Sequence, residues 1–248
     1  LDTARRTWLF FKEFSTKENN WLCPDNVQIS IAEKVSDKTS PTNIGLQFLA
    51  ILSARDLGFE TLSATVEAAE KLMDTVRKMP KWKGHLYNWY HIQSLEVLNP
   101  AYISTVDSGN FLGHLVVLKN GLLEQIDKPV YPDNFLSELR IAVQNSNEEI
   151  LLRTGDSAGN KLRSEYQSIG ELTGDIADIW ENLNGREFRP AADYRWTRYL
   201  MDLIDSTVNE AGALKLKKES ISSHPALCRI AEEENCLLYT SPSPRDRG

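Results

Sequence analysis

The stretch TNIGLQFLAILSARDLGF, residues 42–59, decides the fold because its apolar side chains point in nearly every direction around a helix. The large apolar residues between positions 44 and 52 are Ile44, Leu46, Phe48, Leu49, Ile51 and Leu52. A helix of this kind is buried on most of its sides. Thr42 or Asn43 can cap its start, and Gly58 stands where a C-terminal glycine belongs. The sequence therefore predicts an inner helix over 42–57.

The next segment, residues 61–79, predicts the opposite kind of helix, with one apolar and one charged face. The apolar face consists of Leu62, Val66, Ala69, Leu72, Met73 and Val76. Such a helix lies on the outside of a domain, and Pro80 ends it. A second mostly apolar helix is predicted over 107–119, with Asp107 or Ser108 as its cap.

Helical periodicity covers most of the remaining chain. Further helices are predicted over residues 2–15, 133–147, 160–184, 190–214 and about 225–235. Two long polar connections, 16–40 and 80–106, separate the first helices. The second connection is predicted to hold a two-stranded ribbon that pairs residues 86–90 with 103–105.

The order of inner and outer helices predicts the fold class, which is all-α. Inner and outer helices alternate, as they do in a helical barrel, and the chain is long enough for an incomplete barrel. Inner helices of such a barrel run parallel, so the loops before them gather at one mouth, where helix N-termini offer free N–H groups. An open helical solenoid is the rival layout, but no repeat of 34 or 40 residues is visible.

Composition narrows the function classes. The net charge of −7 and the lack of a basic stripe disfavour nucleic acid as a partner. The three cysteines, Cys23, Cys228 and Cys236, are widely spaced, which favours a reducing compartment over a disulfide framework. The four histidines are scattered, so no metal site is predicted, and no motif indicates a cofactor. The sequence contains no run of 18 apolar residues, so no membrane span is predicted.

Two loops, 19–28 and 84–92, combine aromatic rings with amides or carboxylates, the mixture that a sugar requires of its binding site, and two polar segments, 40–43 and 104–110, precede the inner helices. They contribute the candidate substrate-binding residues Trp21, Asp25, Asn43, Asn88, Trp89, Tyr90, Asp107 and Asn110. Each has a structural alternative: a buried Trp with Asx turns, packing of strand residues, or capping by Asp107. His91 is a candidate proton carrier or a simple hydrogen-bond partner. Glu148 and Glu149 lie in a charged run and are expected to be solvated.

The motifs of the first half occur in a recognisable order. They are ARRTW (4–8), NNWLCPDNVQ (19–28), KTSPTNIGLQFLAILSARDLGF (38–59), KGHLYNWYHI (83–92) and YISTVDSGNFLGHL (102–115). Together they resemble the central region of cyclic β-1,2-glucan synthases, strongly over residues 4–120 and more loosely from 121 to 235. The pair TSPTNIG and STVDSGN is the specific part of this resemblance.

The resemblance implies a glycosidase-like (α/α)6 module that closes linear β-1,2-glucan into a ring by transglycosylation, with retention of configuration. Residues 1–235 are then the N-terminal part of that module. Its partners are the glucan chain, the remaining half of the barrel, and neighbouring glycosyltransferase and phosphorylase-like modules. The resemblance also implies a membrane-anchored bacterial protein, with this segment on the cytoplasmic side of the inner membrane.

Two departures from the family pattern affect the site. His91 stands where the family has Asp in NWYDT, and Cys23 stands where it has Pro. The resemblance also implies that the catalytic carboxylates lie beyond this chain, so Asp25 and Asp107 are assigned to binding and no catalytic residue is named. A non-catalytic carbohydrate-binding or scaffolding domain, and a phosphorylase-type module, are the alternative functions.

Both ends of the chain carry a further expectation. The sequence begins within a helical pattern at residues 1–14, which suggests that it is part of a longer protein and inactive alone. The tail CLLYTSPSPRDRG (236–248) has an unrelated composition and is expected to be a non-native read-through. A genuine disordered tail is the alternative.

Overall fold

A computed structural model describes residues 1–28, 34–166, 168–186 and 194–222. The chain divides into two compact units, Leu1–Ile126 and Asp127–Gly248, and each is described by itself. Helices dominate both, so the predicted all-α class is confirmed. The predicted helix at 225–235, the tail at 236–248 and the break at Pro190 lie outside the described residues. The single domain over 1–235 stays a prediction.

The first unit contains four α-helices and three short antiparallel ribbons within the described residues. The helices are α1 (Asp2–Phe14), α2 (Pro41–Asp56), α3 (Leu62–Lys78) and α4 (Thr105–Glu124). The strands are β1 (Val27–Gln28), β2 (Lys34–Val35), β3 (Lys38–Thr39), β4 (Lys81–Trp82), β5 (His85–Leu86) and β6 (Tyr90–His91). β1 pairs with β2, β3 with β6, and β4 with β5. No helix in the described part of the chain is long and apolar enough to cross a lipid bilayer.

The predicted inner helix is present as α2, but its cap differs from the prediction. Ser40 is the N-cap, because its side chain accepts a hydrogen bond from the Asn43 backbone N–H at 3.2 Å. Pro41 follows at the first helical position, where its missing N–H costs nothing. The helix is buried on most sides, with Ile44 and Phe48 fully buried.

Helix α3 is the predicted outer helix. Thr61 caps it by accepting from the Ala64 N–H at 3.2 Å. Its buried face runs through Ala69, Leu72 and Val76. Val66 was expected on this face but is largely exposed, and Thr65 is buried in its place.

Helix α4 departs from its prediction in length, cap and burial. It extends beyond the predicted 107–119 at both ends, and Ser104 caps it by accepting from the Asp107 N–H at 3.1 Å. It is not buried on most sides, because only one face packs on α2 within this unit. Its exposed apolar residues are Val106, Leu112, Val116, Val117 and Leu123.

Helices α2 and α4 run parallel. Four contacts follow the same order along both helices: Thr42 with Asp107, Gly45 with His114, Leu52 with Gly121, and Asp56 with Gln125. Two of these positions are glycines, and a Cβ at either would meet the facing side chain at 2.2 Å. Glycine therefore sets the close approach of the two helices. The N-termini of α2 and α4 consequently lie at the same end of the unit.

The predicted ribbon between residues 86–90 and 103–105 is wrong. Thr105 is already helical, since it forms the first residue of α4. Strand β6 pairs instead with β3, which lies directly before α2, so Tyr90 faces Thr39 in the ladder. This pairing places the 80–106 connection beside the start of α2.

The second unit contains α5 (Phe135–Thr154), α6 (Ile169–Asn184) and α7 (Arg195–Ser222). Helix α5 runs past the predicted end at 147 until Gly155, whose φ of 79° terminates it. Helix α6 begins later than predicted, at the Ser168 cap. The preceding loop is held by Asn147, which donates to the Asn160 carbonyl at 2.7 Å.

The carboxylate of Glu149 is not simply solvated, contrary to expectation. It accepts hydrogen bonds from the backbone N–H groups of Trp196 and Thr197 at 3.2 and 2.9 Å. A carboxylate at this position satisfies the unpaired donors of the first turn of α7 and complements the helix dipole. Glu148 is exposed, as predicted.

Truncation of Phe48 to Ala in the centre of α2 should destabilise the first unit. Phe48 is fully buried, so Phe48→Ala is expected to lower the free energy of unfolding by about 3–5 kcal/mol, measured by urea denaturation. Leu46→Ala, on the exposed side of the same helix, is the matched control and should cost less than about 1 kcal/mol. Equal losses would contradict the burial of α2.

Adding one methyl group at Gly45 should separate α2 from α4. Gly45→Ala places its Cβ against the His114 ring, and we expect a loss of about 1–3 kcal/mol despite the higher helix propensity of Ala. Gly113→Ala on α4 meets nothing within 4 Å and should instead stabilise by about 0.5–1 kcal/mol. Thermal unfolding of the two variants should therefore shift in opposite directions.

The Cys23 thiol should be unreactive in the folded chain. Burial raises the pKa of Cys23 to about 12, so almost no thiolate is present at pH 8. In a variant with Cys228 and Cys236 replaced by serine, iodoacetamide should label Cys23 only after urea is added, as followed by mass spectrometry. Rapid labelling without urea would show that the loop opens.

Candidate functional site

Serine residues cap α2 and α4, so other side chains in the first turns of these helices are not needed as caps. Ser40 and Ser104 each bond the backbone N–H of the residue three positions later. Those residues are Asn43 and Asp107, both predicted site residues. Because the serines do the capping, the proposed capping role of Asp107 is not needed, and its carboxylate is available for other partners.

Asn43 joins the start of α2 to the preceding loop. Its amide donates to the Asp25 carboxylate at 2.9 Å. The Asp25 backbone N–H donates to the carbonyl of Lys38 at 2.8 Å, which fixes the loop against β3. The second carboxylate oxygen of Asp25 accepts from the Asn26 amide at 2.9 Å. Asp25 and Asn43, 18 residues apart in sequence, thus form one contact pair.

Thr42 joins the start of α2 to the start of α4. Its hydroxyl donates to the Asp107 carboxylate at 2.5 Å. The same hydroxyl accepts a longer bond, at 3.5 Å, from the amide of Asn110. Asn110 is exposed, whereas Thr42 and Asp107 are half-buried. Sequence reasoning treated Thr42 only as a cap; its position beside Asn43 is the signal that pointed to a second role.

Asn88 lies in the loop GHLYNWYHI (84–92), here called the aromatic loop, and links it to the Asp107 carboxylate. With its amide oriented to suit its neighbours, the nitrogen donates to the second oxygen of Asp107 at 3.1 Å. The amide oxygen accepts from Trp89 Nε1 at 2.5 Å and from the Tyr102 hydroxyl at 2.7 Å. Asn88 is 6% exposed, so its polar atoms are used inside the protein.

These contacts define one polar cluster, made of Asp25, Thr42, Asn43, Asn88, Asp107 and Asn110. Its members come from four distant segments and meet at the common end of α2 and α4. Carboxylate acceptors and amide donors together are suited to a ligand with many hydroxyl groups. Within the described ranges, no three His, Cys, Asp or Glu side chains are grouped to hold a metal ion.

Tyr90 does not face the polar cluster, contrary to its prediction as a substrate-binding residue. It is fully buried, and its hydroxyl donates to the Pro80 carbonyl at 2.7 Å. The hydroxyl also accepts from the Tyr87 N–H at 2.6 Å. Burial raises the pKa of Tyr90 to about 12. Tyr90 therefore helps to hold its loop in place, and its role in substrate binding stays a prediction.

The two tryptophans of the predicted site are both covered by lysines. The Lys38 ammonium lies 4.0 Å from the centre of the Trp89 ring, and that of Lys71 on α3 lies 4.4 Å from Trp21. Trp89 adjoins the polar cluster through Asn88. The contacts of Trp21 are with α3 and, through its carbonyl, with the Gln47 amide at 2.7 Å. The structure therefore does not bring Trp21 to the cluster.

His91 has a local role in its turn. Its Nδ1 lies 3.2 Å from the Ser94 backbone N–H and 3.2 Å from the Ser94 hydroxyl. Its backbone pairs with Lys38 in the β3–β6 ribbon. These contacts suit a hydrogen-bond partner that shapes the turn, which was the simpler of its two predicted roles.

Comparison with known proteins gives one informative relationship. No family model matches this chain. The chain is 43% identical over 126 residues to the protein named Cyclic beta-(1,2)-glucan synthase NdvB of Rhizobium meliloti (strain 1021). The aligned region covers 51% of this chain but 4% of that synthase, so the chain spans only a short segment of its relative.

An identity of this size over 126 residues confirms the resemblance to cyclic β-1,2-glucan synthases. Over half of its length, this chain is related to cyclic β-1,2-glucan synthases.

Proposed function

We propose that this chain is part of a carbohydrate-active module of a cyclic β-1,2-glucan synthase, and that the polar cluster forms part of its glucan-binding cleft. The observation that carries the proposal is the set of hydrogen bonds that joins four distant segments around Asp107 and Asp25. These segments include the two motifs, TSPTNIG and STVDSGN, on which the resemblance to the synthases rests.

The chemistry of the polar cluster supports a sugar ligand. Glucose units present hydroxyl groups that both donate and accept, so their binding requires acceptors and donors side by side. Asp25 and Asp107 supply acceptors, while Asn110 supplies an exposed amide. Both carboxylates already accept bonds from side-chain donors, which fixes their orientation before any ligand arrives. We assign them to hydroxyl binding and assign no catalytic acid or nucleophile.

The helix arrangement supports an (α/α)6 barrel as the setting of this cleft. Helices α2 and α4 are parallel, and the amphipathic α3 connects them, as inner and outer helices of a barrel would be arranged. The exposed apolar face of α4 suits burial against a further inner helix. In that setting the module would exchange one β-1,2 linkage for another within the same chain, which closes a ring without net hydrolysis.

Binding of linear β-1,2-glucan to the chain tests the role of the polar cluster. Asp107→Asn removes a charged acceptor and should therefore weaken binding. We expect the dissociation constant, measured by isothermal titration calorimetry, to rise about 10- to 100-fold. Asp74→Asn is the control, because Asp74 is an exposed carboxylate on α3 that pairs with Arg77. Thermal unfolding of each variant separates lost binding from lost folding.

Three outcomes would contradict the proposal. The chain could fail to bind β-1,2-glucan, Asp107→Asn could bind as tightly as the unaltered chain, or Asp74→Asn could weaken binding equally. The reaction class is tested by placing Asp107→Asn in a full-length synthase and measuring cyclic against linear product. Release of glucose 1-phosphate that depends on added phosphate would favour a phosphorylase instead.

A further inference from the structure

The aromatic rings that the sequence assigned to sugar stacking are partly or wholly engaged within the protein. Tyr90 is fully buried, and lysine ammonium groups lie over Trp21 and Trp89. A sugar ring requires an apolar surface that is open to solvent beside its polar partners. Trp21 and Trp89 are half-buried, so a more exposed ring beside the polar cluster is a better candidate for that surface.

Tyr102 meets this requirement. Its side chain is 48% exposed, although it lies directly before the STVDSGN motif and contacts the polar cluster. The Tyr102 hydroxyl donates to the Asn88 amide oxygen at 2.7 Å, and the Tyr102 carbonyl accepts from the Asn88 N–H at 2.9 Å. The ring is thus exposed over its apolar part and fixed at its polar end.

Asn88 fixes more than this one ring. The oxygen of its amide holds Tyr102 and Trp89, while the nitrogen of the same amide holds Asp107. Because an amide is planar and rigid, these groups keep a constant relative orientation. A buried side chain whose donor and acceptor are both used has little capacity left for a ligand. Asn88 therefore acts through its neighbours.

We propose that Tyr102 is the stacking platform for one glucose unit of the glucan, and that Asn88 is the positioning residue that aims the Tyr102 ring and the Asp107 carboxylate at that same unit. This inference rests on the proposed function of the polar cluster. A glucopyranose presents C–H groups on its faces and hydroxyls around its rim. The exposed ring of Tyr102 would contact a face, and Asp107 would accept from the rim.

The preset orientation has an energetic consequence. An exposed aromatic side chain normally loses rotamer freedom when a ligand stacks on it, which reduces affinity. The hydrogen bond from the Tyr102 hydroxyl to the Asn88 amide oxygen restricts that freedom in the unbound protein. Removing the Tyr102 hydroxyl alone should therefore weaken binding even though the whole ring remains.

The test substitutes two exposed aromatic residues, Tyr102 and Trp82. It measures the affinity of the full chain for linear β-1,2-glucan by calorimetric titration. Tyr102→Ala should raise the dissociation constant about tenfold or more. Tyr102→Phe should raise the dissociation constant about two- to threefold, because the ring remains but its hydrogen bond to Asn88 is lost. Trp82→Ala is the matched control, since Trp82 is 51% exposed on the β4–β5 ribbon, and it should bind like the unaltered chain.

The positioning role of Asn88 is tested by double substitution. If Asn88→Ala already releases the Tyr102 hydroxyl, adding Tyr102→Phe should weaken binding no further. Asn88→Asp keeps an acceptor for that hydroxyl, so Tyr102→Phe should retain its full effect in that background. The Asn88→Asp arm decides the question by itself if Asn88→Ala does not fold. Independent, multiplicative effects of Asn88→Ala and Tyr102→Phe, or loss of the Tyr102→Phe effect beside Asn88→Asp, would overturn the positioning role.

The outcomes also separate this inference from the proposed function. If Asp107→Asn weakens binding while Tyr102→Ala does not, the polar cluster binds glucan and the stacking platform is overturned. If neither Asp107→Asn nor Tyr102→Ala changes a measurable affinity, the glucan lies elsewhere and both proposals fail. If Trp82→Ala weakens binding as much as Tyr102→Ala, exposed aromatic rings bind without specificity and the platform is likewise overturned.

Discussion

The close parallel contact between α2 and α4 is the constraint on which the rest of the first unit depends. It exists because Gly45 and Gly121 leave room for the side chains of His114 and Leu52. A Cβ atom at either position would displace the facing side chain or the helix that carries it, and the same two helices supply the Thr42–Asp107 hydrogen bond. Helix packing is thus coupled directly to the polar cluster, since the same two helices supply both.

The serine caps leave the polar side chains in the first turns of α2 and α4 available for contacts with other segments. A helix N-terminus needs acceptors for its unpaired N–H groups, and Asp or Asn in the first turn is commonly used for this. Here Ser40 and Ser104 fill that need. Asn43 and Asp107 can therefore face neighbouring segments while their negative or polar character still complements the helix dipole. The division of labour between adjacent residues is what converts two helix ends into a site.

The sequence predicts the parts of this structure that depend on local pattern. The apolar circumference of residues 42–57 and the amphipathic pattern of 61–79 give α2 and α3, and the motifs STVDSGN and TSPTNIG identify the segments that meet. Contacts between distant segments could not be predicted in this way. β6 pairs with β3, which lies directly before α2, and Glu149 caps α7 from another helix. The burial of α4 was overestimated because periodicity reports apolar character and not whether a partner is present.

The aromatic loop shows why residue type alone misassigns a binding role. The 80–106 connection has only two-residue strands, so large side chains help to hold it in place. Tyr90 does this through two backbone contacts, and Trp89 does it through Asn88 and Lys38. Tyr90 is thereby fully buried, and Trp89 is half-buried. Tyr102, at the end of the connection, is 48% exposed and contacts Asn88. Rigidity of the loop and availability of a ring are therefore provided by different residues, and Asn88 is the side chain that connects them.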